Sequence, residues 1–173
     1  MKNKIELYPR IFLINKKYKK NELYHYFDIP DVAILIPIFN KKFLLVSQKR
    51  VAINKINLEF PSGWVDLGEK PVKSAARELL EETGYKSTEK LKPLIKFYEE
   101  PGRVNSKAHC YVTNKITKVN NPEKGIKIFF YTRNEIVKLI EEDKFNNGTH
   151  IAAFYKYLSL NRANKPKNSK YWY

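Results

Sequence analysis

The run Arg77–Glu82 (RELLEE) places Glu78, Glu81 and Glu82 beside one arginine, Arg77. On a helix, at about 100° per residue, the three carboxylates fall within an arc of about 100°. Val72, Ala76, Leu79 and Leu80 take the opposite side. One face can then be buried while the other presents like charges that repel unless a cation lies between them. Hard oxygen donors of this kind select Mg²⁺, with Mn²⁺ as a substitute. Glu78 and Glu82 are one turn apart and can face one cation, and Glu81 can reach the same ion or a second one. Such an ion neutralises the non-bridging oxygens of a phosphoanhydride and activates water. A solvated acidic face on an amphipathic helix would read the same way over this short stretch.

The surrounding positions decide between the two. Gly63, Glu69, Arg77, Glu78, Leu79, Glu81, Glu82 and Gly84 stand at the offsets of the Nudix signature, which occupies residues 63–85, with Tyr85 where an aliphatic residue is usual. The chain therefore resembles the Nudix hydrolase family. Upstream, Gln48-Lys49-Arg50 and Glu59-Phe60-Pro61-Ser62-Gly63 resemble segments of its ADP-ribose pyrophosphatase branch, and Pro101 lies at the branch's distance from Tyr85. The resemblance implies an α+β, α/β/α sandwich Nudix fold, with a mixed central sheet flanked by helices and a small N-terminal antiparallel strand region. It implies Glu78, Glu82, Glu81 and the Ser62 carbonyl as metal ligands, and Arg50, Glu59, Gly63 and Pro101 around the substrate. Glu123, in the loop before the last strands, is the expected catalytic base, with Glu81 as the alternative. Arg77 and Glu69 are read as structural support, pairing to hold the loop against the helix.

The implied reaction is Mg²⁺-dependent cleavage of the pyrophosphate of ADP-ribose or a related nucleoside diphosphate sugar. The segment Arg103-Val104-Asn105-Ser106-Lys107 departs from the branch, which carries a Glu there, and this leaves room for another sugar or a more anionic substrate. An alternative is hydrolysis at RNA 5′ ends or caps. A non-catalytic nucleic-acid-binding relative is a third reading, against which stands the complete set of signature carboxylates.

A chain of 173 residues suits one domain. Its 33 Lys and Arg against 18 Asp and Glu give a net charge of +15, which favours anionic ligands and is compatible with nucleic acid. The single Cys110 excludes an intramolecular disulfide and leaves no thiolate cluster for zinc. With neither a signal-peptide pattern nor a membrane-length apolar run, a cytoplasmic protein without membrane contact is expected. His25, His109 and His150 are scattered rather than spaced as ligand pairs.

These residues need a frame. Residues 1–28 are expected to form a two-stranded hairpin, with strands at Ile5–Leu13 and Leu23–Phe27 around a Lys-rich turn. By the resemblance this is a homodimerisation element, with Tyr26 or Phe27 available to stack on adenine. Residues 29–162 form the catalytic domain. Asp31–Phe39 and Lys42–Gln48 read as buried strands, Pro71 opens the acidic helix and Gly84 closes it. Further strands are expected near Leu94–Tyr98, Ala108–Thr113 and Lys127–Tyr131, and helices at Arg133–Glu142 and Gly148–Leu160. Residues 163–173 make a basic aromatic tail.

Overall fold

The computed structural model describes residues 2–20 and 22–162. The tail at 163–173 lies outside them. The N-terminal region forms three antiparallel strands rather than two: β1 (Lys2–Tyr8), β2 (Ile11–Lys19) and β3 (Glu22–Asp28), in the order β1-β2-β3. Pro9 has no N–H to donate and Arg10 takes a positive φ of 69°, so the chain reverses inside the expected Ile5–Leu13 strand. The Lys-rich stretch continues as strand to Lys19 because its backbone pairs with β3 while its lysine side chains stand in solvent.

The apolar run β4 (Val32–Phe39) is the axis of the main sheet. Its alternate residues feed two cores, as the strand period of two requires. Ile34, Ile36 and Ile38 face one, and Ala33 and Leu35 the other. After β5 (Lys42–Arg50), a short 3₁₀ turn at Val51–Ile53 ends on Asn54 in the left-handed region. The chain returns as β6 (Lys55–Glu59) along β5 and crosses to β4 as β7 (Ser62–Trp64). β4 and β5 pair directly only at Ile38–Phe43 and Phe39–Lys42. The strands diverge beyond that, and Pro61-Ser62-Gly63 enters the opening, with Leu35 N–H donating to Pro61 O at 3.0 Å.

Helix α1 (Pro71–Thr83) packs over this opening. Next come β8 (Tyr85–Ser87), β9 (Lys92–Tyr98), β10 (Lys107–Thr113), β11 (Ile116–Lys118) and β12 (Lys127–Tyr131). The seven-stranded sheet runs β12-β5-β4-β10-β9, with β6 on β5 and β7 on β4. Its one parallel pair, β10 with β4, makes it mixed. Helices α2 (Arg133–Glu141), opened by a Thr132–Glu135 capping box, and α3 (Gly148–Arg162) cover the face opposite α1. The result is the expected α/β/α sandwich.

Candidate active site

Helix α1 buries Ser74, Ala75, Leu79, Glu82 and Thr83, whereas Ala76 is exposed and Leu80 only half-buried. The buried face is thus rotated from the expected one, which centred on Val72, Ala76, Leu79 and Leu80. The opening between β4 and β5 accepts polar groups from the helix, so Glu82 turns inward and is only 6% exposed. Its Oε2 accepts from Ser62 N–H at 3.0 Å and its Oε1 from Gln48 Nε2 at 2.8 Å. Burial pushes the Glu82 carboxyl up to about 7, against the pull of those two hydrogen bonds. Glu78 is raised too, chiefly by burial, while Arg77 works to lower it.

Gly63 is required by close approach. A Cβ there would stand 2.1 Å from Glu78 Oε1, so the carboxylate rests directly against the glycine backbone. Gly84 meets a second such demand at the other end of α1. It caps the helix at φ 71°, and a Cβ would lie 2.0 Å from the Asn120 carbonyl oxygen. The loop pressed against it donates to the end of α1 and its cap: Val119 and Asn120 N–H donate to Gly84 O, and Glu123 N–H donates to Glu81 O at 2.9 Å. Glu123 is thereby tethered by its backbone beside Glu81, with its side chain in solvent.

Arg77 is the hub of the acidic cluster. It donates to Glu78 Oε1 at 2.7 Å and to Glu81 Oε2 at 3.0 Å through Nη1. Through Nη2 it donates to Glu69 at 3.2 Å and to Trp64 O at 3.1 Å. The hydrogen bond from Arg77 holds the Glu69 carboxyl below its ordinary range. The loop from Trp64 to Glu69 is in this way tied to the helix. Arg77 also accounts for the arrangement of the glutamates: among the described residues no three His, Cys, Asp or Glu side chains close around one point. Glu81, half exposed, shares the Arg77 Nη1 with Glu78. Buried Glu82 and part-buried Glu78, both raised above their ordinary range beside the Ser62–Gly63 backbone, are hard oxygens whose charge is costly there, which fits a small divalent cation.

Next to them opens a cleft of about 350 Å³, lined by Val32, Arg50, Ile53, Asn57, Glu59, Ser62, Gly63, Trp64, Glu99, Asn147 and His150. Glu59 is 2% exposed. Arg50 grips it bidentately, with Nε to Oε1 at 2.9 Å and Nη2 to Oε2, and Asn57 Nδ2 adds a third bond at 2.9 Å. Burial alone would raise the Glu59 carboxyl, but the hydrogen bonds and charge of Arg50 and the hydrogen bond from Asn57 hold it below the ordinary range. Glu59 is therefore an anion whose oxygens are already committed, and Arg50 Nη1 is the part of that pair left to meet a ligand.

Arg50, Glu59, Ser62, Gly63, Glu78 and Glu82 are brought together as the sequence suggested. Pro101 is not brought to this cleft. It stands in the exposed turn after β9 and lines a separate pocket of about 380 Å³ with Lys16, Tyr18, Tyr24, Tyr26 and Tyr98. The divergent segment Arg103–Lys107 holds the N-terminal sheet: Phe27 N–H donates to Arg103 O at 2.8 Å, Asn105 Nδ2 to Asp28 at 2.7 Å, and Ser106 Oγ to Pro30 O at 2.9 Å. Arg10 adds an ion pair to Asp66 at 2.9 Å. Asn57, Trp64, Asn147 and His150 line the cleft without having been singled out for it. Asn57 carried a usable signal, two residues before Glu59 on one strand face. His150 carried none.

Residues 29–171 match the NUDIX domain family. The chain is 32% identical over 144 residues to a methanol dehydrogenase activator of Bacillus methanolicus, covering 80% of this chain and 77% of that protein. It is 28% identical over 137 residues to an ADP-ribose pyrophosphatase of Bacillus subtilis (strain 168), covering 76% and 73%. A crystal structure of an ADP compounds hydrolase shares the fold with a TM-score of 0.80, over 94% of this chain and 92% of that one, at 17% identity.

Proposed function

We propose, from the premise that this chain belongs to the Nudix family and is a pyrophosphohydrolase within it, that its substrate is ADP-ribose or a related nucleoside diphosphate sugar. The observation that carries the reading is the junction itself: Glu78 and Glu82, both held above the ordinary carboxylate range, meet the Ser62–Gly63 backbone at the mouth of the Arg50–Glu59 cleft. Glu78, Glu82 and the Ser62 carbonyl would hold Mg²⁺, with Mn²⁺ as a substitute and Glu81 recruited from Arg77. The ion supplies charge neutralisation at the phosphates and a more acidic water.

The chain's own residues do the remainder. Arg50 keeps one guanidinium edge for a phosphate while Glu59 orients the other. Arg77 and Glu69 fix the loop that forms the cleft's rim. Water adds to one phosphorus as the bridging P–O bond breaks, giving a nucleoside monophosphate and a sugar phosphate. Its proton passes to Glu123, which the loop tethers beside the end of α1, or else to Glu81. Incubation with ADP-ribose and GDP-mannose in Mg²⁺ tests the substrate class, with released monophosphate as the expected result. No turnover of either would sink it. A loss of turnover in Glu123→Gln that is absent in Glu81→Gln would identify the base.

The net charge of +15 supports a second reading, hydrolysis at RNA 5′ ends or caps. Release of diphosphate or capped nucleotide from RNA at rates above those on ADP-ribose would favour it. As to assembly, Ile5, Leu23 and Phe27 are exposed on one side of the N-terminal sheet, and this supports a homodimer covering that face. Sedimentation of the wild type against Leu23→Glu checks it. No helix among the described residues is long and apolar enough to cross a membrane.

A further inference from the structure

His150, the third residue of α3, forms part of the cleft wall, and nothing in the reaction above uses it. It is 3% exposed, and its ring lies parallel to that of Phe60, 4° apart in plane with centroids 6.2 Å apart. Phe60 follows the last residue of β6, so its N–H has no strand partner there. That N–H donates to His150 Nδ1 at 2.9 Å. A nitrogen that accepts from an amide carries no proton, which leaves the single proton of a neutral imidazole on Nε2. The ring is neutral at physiological pH: burial first, and then the nearby Arg50 charge, lower His150 to about 4, against the opposite pull of Glu59.

Nε2 is the remaining question. Among the described residues it meets no protein acceptor, and no fully buried side-chain nitrogen or oxygen among them lacks a partner. Nε2 therefore opens on the cleft. Glu59, the carboxylate whose charge acts on the ring, has both oxygens engaged by Arg50 and Asn57. A fixed, uncharged N–H remains in a cleft that Ile53 and Trp64 also line.

We propose that His150 Nε2–H is a specificity-determining donor, which selects nucleotides by hydrogen bonding to an uncharged acceptor, a ring nitrogen or carbonyl oxygen, of the base. The assignment rests on the nucleoside diphosphate reading for its substrate, and on the buried Phe60–His150 bond for its geometry. A charged donor here would favour phosphate. A neutral one discriminates by the presence and direction of the acceptor, and a mismatched ligand leaves it unpaired.

His150→Asn separates the two roles of the ring, because the asparagine Oδ1 stands where Nδ1 was and keeps the Phe60 N–H, while the cleft donor is lost. KM for ADP-ribose is expected to rise about threefold to tenfold with kcat within about twofold. In the full chain labelled with ¹⁵N-histidine, His150 is expected to show the Nε2–H tautomer at pH 7, and its Nε2–H signal to move on addition of millimolar AMP. The proposal is overturned if Nδ1 carries the proton, if neither AMP nor ADP-ribose moves the signal, or if His150→Asn leaves KM unchanged. Should the wild type hydrolyse no nucleoside diphosphate compound, the reaction proposed above falls, and the nucleotide-induced shift still decides the donor.

Discussion

Replacing Gly63 by alanine isolates the most demanding contact in the site. The added Cβ would stand 2.1 Å from Glu78 Oε1, 2.3 Å from Cδ and 2.6 Å from Oε2, where ordinary contact begins near 3.4 Å. The three nearest atoms all belong to the end of one side chain, so the carboxylate is the group that must retreat, by at least about 1 Å. A ligand to Mg²⁺ tolerates about 0.2 Å, and misplacement by about 1 Å at a reacting centre costs about 100-fold. We therefore expect Gly63→Ala to lower kcat/KM for ADP-ribose about 100-fold, with partial recovery as Mg²⁺ is raised. Folding should lose little beyond the Glu78–Arg77 hydrogen bond, about 1 kcal/mol, or about 2–4 °C in Tm. Steady-state kinetics across a metal titration, with calorimetry beside it, measure both. The cycle with Glu78→Gln is the sharper assay, since a glycine acting only through Glu78 has no further effect once that carboxylate is gone. Full additivity, or Gly63→Ala activity within about threefold of wild type, would refute the reasoning.

Three other outcomes follow from the buried charges. Glu82 has a folded pKa raised from 4.5 to about 7, so the stability it contributes is present below 4.5 and lost as pH rises through 7, by about 3 kcal/mol. In chelator, Glu82→Gln should remove that pH dependence in urea unfolding and be the more stable protein at pH 8, while turnover falls at least about 100-fold. His150 runs the other way: its folded pKa lies at about 4 against 6.5, so its contribution is present above pH 6.5 and about 3 kcal/mol is lost as pH falls through 4. Urea midpoints between pH 7 and 4 should show this acid limb in the wild type, and His150→Asn should flatten it. Finally, Arg50→Ala leaves Glu59 buried without its cation, and should destabilise the fold by about 2–3 kcal/mol as well as raise KM. An unfolding midpoint equal to wild type would show that Asn57 alone satisfies Glu59.

Local spacing was enough for several of these parts. Pro71 and Gly84 bound α1 where a first-turn proline and a left-handed cap must lie. The Glu78–Glu82 pair is a one-turn relation that any helix preserves. The continuous burial of β4, a near-unbroken apolar run, follows from a strand covered on both faces. The N-terminal strands were harder to read, because hydrophobic alternation does not register a turn such as Pro9-Arg10 placed inside it, and a strand whose lysines stand in solvent looks like a loop.

By itself the sequence determined the family, the reaction class and the carboxylates, since these depend on residue types at short, fixed offsets. Only the tertiary structure decided what surrounds them. The inward turn of Glu82 comes from the opening between β4 and β5, which no helical periodicity encodes. The proton position on His150 depends on Phe60, 90 residues away along the chain and joined to it only by folding. Tertiary contact changes a group's dielectric surroundings and its hydrogen-bond partners together, and those, rather than its spacing along the chain, set its charge and its proton.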